Sequence, residues 1–248
     1  MLKNTVQSIF LSIGILAVFT GVCRAQSTRA TYLAAVGDYR QAAASFNRDK
    51  QLYAASGSET NYNNLFASGR QTFVARQQTV LAFINYLREL ARTYVTDGEQ
   101  LATFERLLTT YEVNFGDIIT VLSDSSEWSR ADSEFASVYA KFNEAAYQIM
   151  AGIYWSELDA IVENYVTLYQ NQNQRIINSA DSEVSAREKT VQLQEIEKTL
   201  SSLRPEMAEL KQTAAAVNSY ESYESLGARL DGVVTEVENS LKNYVKLE

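Results

Sequence analysis

One proline, Pro205, and a thin scatter of glycines leave this 248-residue chain almost nothing that stops a helix. Proline removes a backbone donor and clashes with the preceding turn, and glycine loses the most backbone freedom on ordering. Of the ten glycines, Gly14 and Gly21 fall within the first 25 residues, so eight serve the rest. Beyond that point apolar residues recur at three-four spacing nearly everywhere, and no stretch keeps the two-residue alternation of a strand. These features predict an all-α protein: an elongated antiparallel helical bundle with a long coiled-coil-like hairpin.

The first helix is expected from about Thr28 to Ala55, with Tyr32, Tyr39, Phe46 and Tyr53 seven residues apart and Val36 and Ala43 between them. That is an a/d seam with aromatic knobs. Ser56-Gly57-Ser58 ends it. A second helix follows from about Asn61 to Tyr94, carrying Phe73, Leu81, Ile84, Leu87, Leu90 and Ala91. Thr96 and Glu99 have capping-box spacing for a third, whose stripe is Leu101, Phe104, Leu108, Tyr111, Phe115, Ile118 and Leu122.

A fourth helix is expected from about Trp128 towards Asn178, with Phe135, Val138, Phe142, Ala145 and Ile149 on one seam. Further along, two apolar stripes overlap, one through Trp155, Leu158, Val162, Tyr165 and Tyr169, the other through Tyr154, Leu158, Ile161, Tyr165 and Leu168. So wide a face suits a helix with more than one neighbour. Ser185 and Glu188 suggest the start of a fifth helix, with a kink or short break at Arg204 before Pro205. The last helix runs from about Tyr220 to Val245. The organisation expected is a leader over residues 1–25, a three-helix region over 26–124 and a long hairpin over 125–248, packed as one bundle.

The leader reads as an export signal: Lys3 supplies the charge, Ile9 to Val22 the apolar run, and Cys23-Arg24-Ala25 the small residues a signal peptidase reads. The alternative is an uncleaved N-terminal anchor. Acylation of Cys23 is disfavoured, because Val22 and Thr20 stand where small residues and leucine belong. Cleavage after Ala25 removes Lys3, Arg24 and the only cysteine, leaving 20 basic and 30 acidic residues, a net −10. With no basic block, nucleic acid is not an expected partner. Membrane contact is expected only through the N-terminal segment, if it is retained.

The chain has no histidine. A di-metal bundle site wants Glu-x-x-His on two helices, and neither Asp124 nor Asp181 sits in a calcium loop, so no metal and no cofactor is expected. No serine lies in Gly-x-Ser-x-Gly or Ser-x-x-Lys, and no catalytic residue is assigned. Gly37-Asp38-Tyr39-Arg40-Gln41-Ala42 has the look of a tetratricopeptide helix, but 34 residues on Gln71 and Arg76 replace the small residues, so no repeat follows. Non-enzymatic action is the expectation.

Fifteen tyrosines and two tryptophans are the remaining functional signal. The fourth helix carries more aromatic surface than one seam requires, and Tyr147, Tyr154, Trp155, Tyr165 and Tyr169 are the candidate interaction face. The ladder Tyr32 to Tyr53, followed by Ala75-Arg76 and Val80-Leu81-x4-Tyr86-Leu87-x2-Leu90, resembles the opening of exported all-helical proteins of candidate-phyla bacteria, a group with no assigned activity. The resemblance implies export and an all-helical envelope protein. The function expected is a scaffold, spacer or self-assembling component that works through a protein partner or self-association. The alternative is a binding protein holding a lipid or other apolar ligand between helices.

Overall fold

A computed structural model describes the backbone of residues 3–124, 128–180 and 182–247, and side chains over 26–118, 130–180 and 182–247. Residues 1–25, expected to be an export signal, therefore lie outside the described side chains. Six helices account for the described residues, with no strand among them: α1 (Lys3–Ser56), α2 (Glu59–Tyr94), α3 (Gly98–Asp124), α4 (Trp128–Asn178), α5 (Glu183–Ala216) and α6 (Tyr220–Val245). The protein is all-α, as its shortage of breakers requires.

The chain forms two compact units, residues 1–93 with 97–142 and residues 94–96 with 143–248. The boundary between the two units falls inside α4, after Phe142. Phe135 and Phe142 are the reason. Phe135 lies edge-on to Phe73 at 5.7 Å and against Phe115 at 5.4 Å, and Phe142 meets Phe83 at 6.1 Å and Phe115 at 5.7 Å. The start of α4 thus closes a four-helix unit with α1, α2 and α3.

In that unit α2 buries Phe73, Gln77, Val80, Ile84, Leu87 and Ala91, alternating steps of four and three. Such spacing keeps one stripe facing a neighbour along the whole helix. Arg88 joins α2 to α3 through Glu105 at 3.2 Å and Glu112 at 2.6 Å. The start of α3 is fixed by Asp97, whose carboxylate accepts from the N–H groups of Glu99 and Gln100. Asp97 is the cap, not Thr96. It stands nearest the first unpaired N–H groups and adds a charge that suits the positive helix end.

The second unit packs α5 antiparallel to α4. Stepping along α4 from Trp155 to Tyr169 moves the partner back along α5 from Met207 to Leu193. α6 runs alongside α4 in the same direction, Tyr154 meeting Asp231 and Tyr165 meeting Ser240. The core of this unit takes Leu193, Ile196, Leu200, Leu203, Met207 and Leu210 from α5 and Leu226, Leu230, Val233 and Val237 from α6. Each fully buried aliphatic side chain contributes roughly 1.5–3 kcal/mol.

One local expectation is corrected here, and of the kink or short break expected at Arg204 the break is absent. Ser182, not Ser185, caps α5, and Ser185 donates its N–H to the Ser182 hydroxyl. Pro205 does not break α5, which runs unbroken through it. Pro205 is exposed while Leu203 and Met207 beside it are buried, so the lost hydrogen bond falls on the side that water can reach.

Candidate functional site

The five aromatic residues of the expected face are engaged within the chain. Trp155 is 7% exposed, Tyr165 5% and Tyr169 6%. Trp155 Nε1 donates to the Met207 carbonyl at 2.9 Å, and the Tyr169 hydroxyl donates to the Leu193 carbonyl at 3.0 Å. The Tyr165 hydroxyl lies 3.0 Å from that of Ser240, and both are buried. Tyr154 donates to Asp231 on α6, while Tyr147 sits half-buried between Tyr220 and Tyr223. The aromatic excess of α4 thus serves two helical neighbours at once. Of the two overlapping stripes, the one through Trp155 and Val162 is buried, and Ile161 of the other is 47% exposed.

Burial also settles the chemistry of these tyrosines. It pushes up the hydroxyls of Tyr165, Tyr169 and Tyr223. Burial and then the Asp231 carboxylate push Tyr154 to about 12. None is an acid near neutral pH.

An open groove with a mainly apolar lining lies in the other unit, between α1 and α2. A groove of about 590 Å³ is walled by Tyr39 and Phe46 from α1 and by Tyr62, Leu65, Phe66 and Phe73 from α2, with Gly69 and Thr72 between them. Arg76 and Asp132 close one end as an ion pair at 2.6 Å. The Arg76 guanidinium lies 4.0 Å from the Phe135 ring centroid and 4.8 Å from that of Phe73. Cation–π contact with both rings holds it at the groove's end.

The tip of the hairpin is built to hold this geometry. Gly57 takes φ +60 and donates to the Tyr53 carbonyl at 2.8 Å, a conformation that costs glycine nothing. Ser58 caps α2 by accepting from the Asn61 N–H at 3.2 Å. Asn61 Nδ2 reaches back to the Leu52 carbonyl and the Ser56 hydroxyl, and Tyr53 packs on Tyr62 at 5.7 Å.

The groove lies along the same heptad line as the unit's core stripe. Phe66, Phe73, Val80 and Leu87 are seven residues apart on α2, with Phe73 6%, Val80 7% and Leu87 0% exposed, yet Phe66 is 42% exposed and Tyr62 52%. Between Glu59 and Thr72 only Ser68 is buried. Seven-residue spacing read backwards from Phe73 reaches Phe66. Where the covering helices stop is not written in that spacing, which is why the sequence drew attention to α4 instead.

The segment that contributes the walls has a positive excess, although the two charged lining residues, Arg76 and Asp132, balance. From Tyr39 to Arg76 the chain holds Arg40, Arg48, Lys50, Arg70 and Arg76 against Asp49 and Glu59, in a protein of net charge −8. Among the described residues no group of three His, Cys, Asp or Glu side chains is placed to hold a metal ion. Among them, too, no helix is long and apolar enough to cross a membrane. No family model matches the chain, and no curated protein or solved structure matches it.

Proposed function

We propose that this chain is an exported, non-enzymatic helical protein that acts through protein–protein contact at the α1–α2 groove. The observation that carries the reading is the exposure of Phe66, in register with a stripe that is buried from Phe73 onward. An aromatic on a core stripe that keeps 42% of its surface exposed offers apolar area that a docked partner would bury. A groove open along its length suits a helix laid into it, with anchors at i, i+3 or i+4 and i+7. The charged start and apolar run of residues 1–25 support export.

A photo-crosslinking amino acid at Phe66 tests this in the cells that make the protein. Protein adducts of discrete mass are expected at Phe66 and at Tyr62, lost when Phe46 is changed to Asp, and absent with the probe at exposed Val191 of α5. Equal labelling at all three positions would remove the groove from the function.

The volume and apolar lining of the groove favour one second reading, a small apolar ligand. Native mass spectrometry separates the two, since a ligand adds a few hundred daltons to the monomer and a protein contact does not.

A further inference from the structure

We propose that the outer face of the α4–α6 pair docks an amphipathic helix of another protein, one whose apolar stripe is flanked by arginine or lysine. This face belongs to the second unit, so the inference goes beyond the α1–α2 groove and does not depend on it.

Three observations carry it. The first is a second apolar line on each helix. Tyr147, Tyr154, Ile161 and Leu168 are seven residues apart on α4, and Tyr220, Gly227, Val234 and Leu241 are seven apart on α6. The two helices run in the same direction, and the lines meet where Tyr147 packs edge-on to Tyr220 at 6.3 Å. Neither line is the core, which takes Trp155 and Val162 from α4 and Leu230 and Val237 from α6. Ile161 is 47% exposed and Tyr220 55%, while Tyr147, Tyr154, Leu168, Val234 and Leu241 are partly buried. Paired heptad lines form a seam for a further helix. Among the described residues this unit holds three helices, and one more laid along both lines gives a four-helix cross-section.

The second is space. A Cβ added at Gly227 has nothing within 4 Å. The α6 line therefore has a hollow between the side chains of Tyr220 and Val234, where a knob from a docked helix fits.

The third is charge. Residues 147–161 of α4 contain no lysine or arginine. The one such residue in 220–234 of α6, Arg229, is paired with Glu209 of α5 at 2.8 Å. Carboxylates follow the lines instead. Glu157 lies three residues after Tyr154 and four before Ile161, and Glu224 and Asp231 each lie four residues after a member of the α6 line. Such spacing keeps them on the same side of their helices as the lines. All three are exposed, and among the described residues none has an ion-pair partner. Tyr154 donates to Asp231, and Tyr220 to Glu224 at 3.4 Å, so carboxylates and tyrosine rings stand side by side. A guanidinium or ammonium finds there both a counter-charge and an aromatic face. A second copy of this chain would bring the same carboxylates against these, and like charges disfavour it.

Two synthetic amphipathic helical peptides test this on the full chain. They share one leucine stripe, flanked by arginine in the first and by glutamate in the second, and binding is followed by fluorescence anisotropy at low and high salt. The arginine peptide is expected to bind and the glutamate peptide is not. Gly227→Trp, which starts its side chain in open space, and Ile161→Gln should each weaken binding by about tenfold or more. Glu157→Lys combined with Glu224→Lys should reverse the preference between the peptides. A photo-crosslinking amino acid at Ile161 should capture the arginine peptide, and one at exposed Val191 of α5 should not. Unchanged helicity by circular dichroism confirms that each variant is folded.

Equal binding of both peptides overturns the proposal, as does binding that Gly227→Trp and Ile161→Gln leave unaltered. No binding at about 100 μM overturns it too. A dimer that Gly227→Trp dissolves overturns it in favour of a second copy. None of these variants touches Phe66, so crosslinking from the groove stands or falls separately.

Discussion

The indole nitrogen of Trp155 donates to the main-chain carbonyl of Met207 at 2.9 Å, both groups buried between α4 and α5. A carbonyl inside a helix has a second lone pair, and this one takes the indole. Lys211, one turn further along α5, lies 5.0 Å from the centroid of the same ring. Trp155 is therefore an inter-helix tie rather than a surface contact. Trp155→Ala should destabilise the second unit by about 3–5 kcal/mol, through lost area and a cavity. Urea unfolding followed by circular dichroism measures it. A loss below about 1 kcal/mol would mean that α4 and α5 do not pack as described.

Gln77 is fully buried on the α2 stripe between Phe73 and Val80, and among the described residues neither its side-chain oxygen nor its nitrogen has a hydrogen-bond partner. A desolvated amide without partners costs roughly 1–3 kcal/mol. Gln77→Leu keeps a similar volume and removes that cost. Its unfolding midpoint should rise; a fall would show that the amide serves a polar contact at this seam.

Alkali should loosen the second unit before it affects α1 to α3. The hydroxyls of Tyr154, Tyr165, Tyr169 and Tyr223 are held above their ordinary value of 10.0, Tyr154 at about 12. A raised folded pKa means that the fold favours the protonated phenol. Its contribution is therefore complete below pH 10 and is lost as pH climbs through the folded values towards about 12. Denaturant midpoints across this range should fall steeply, and Tyr154→Phe should flatten the slope. A slope that the variant leaves unaltered would place the titration elsewhere.

Pro205 lies in the exposed interior of α5, where proline costs about 3 kcal/mol relative to alanine. Pro205→Ala fills the missing hydrogen bond without opening a cavity. The thermal midpoint of the second unit should rise. No gain would indicate that α5 is bent at Pro205 to fit α4 and α6, so that straightening it strains the seam.

Much of this was legible in residue spacing. Leu193 to Val217 keeps a three-four stripe without a break, and every member of it is buried, on α5 or at its C-cap. The turn at Gly57 was equally plain, because glycine between two serines supplies both the end of one helix and the start of the next. Capping was read less well, with Asp97 and Ser182 doing what Thr96 and Ser185 suggested. Several hydroxyls and carboxylates there compete for the same orphan N–H groups, and only backbone geometry selects among them.

By itself, then, the sequence determined that the chain is helical, where it turns, and which stripe of each helix is apolar. These depend on local backbone freedom and on a period of 3.6 residues, both properties of the chain alone. Only the tertiary structure decided which stripes find neighbours. It turned Tyr147, Tyr154, Trp155, Tyr165 and Tyr169 inward, because α4 faces two helices at once. It left Tyr62 and Phe66 partly exposed on a stripe that is buried from Phe73 onward. Burial is a relation between elements, set by where the covering helices end, and periodicity within one element carries no record of it.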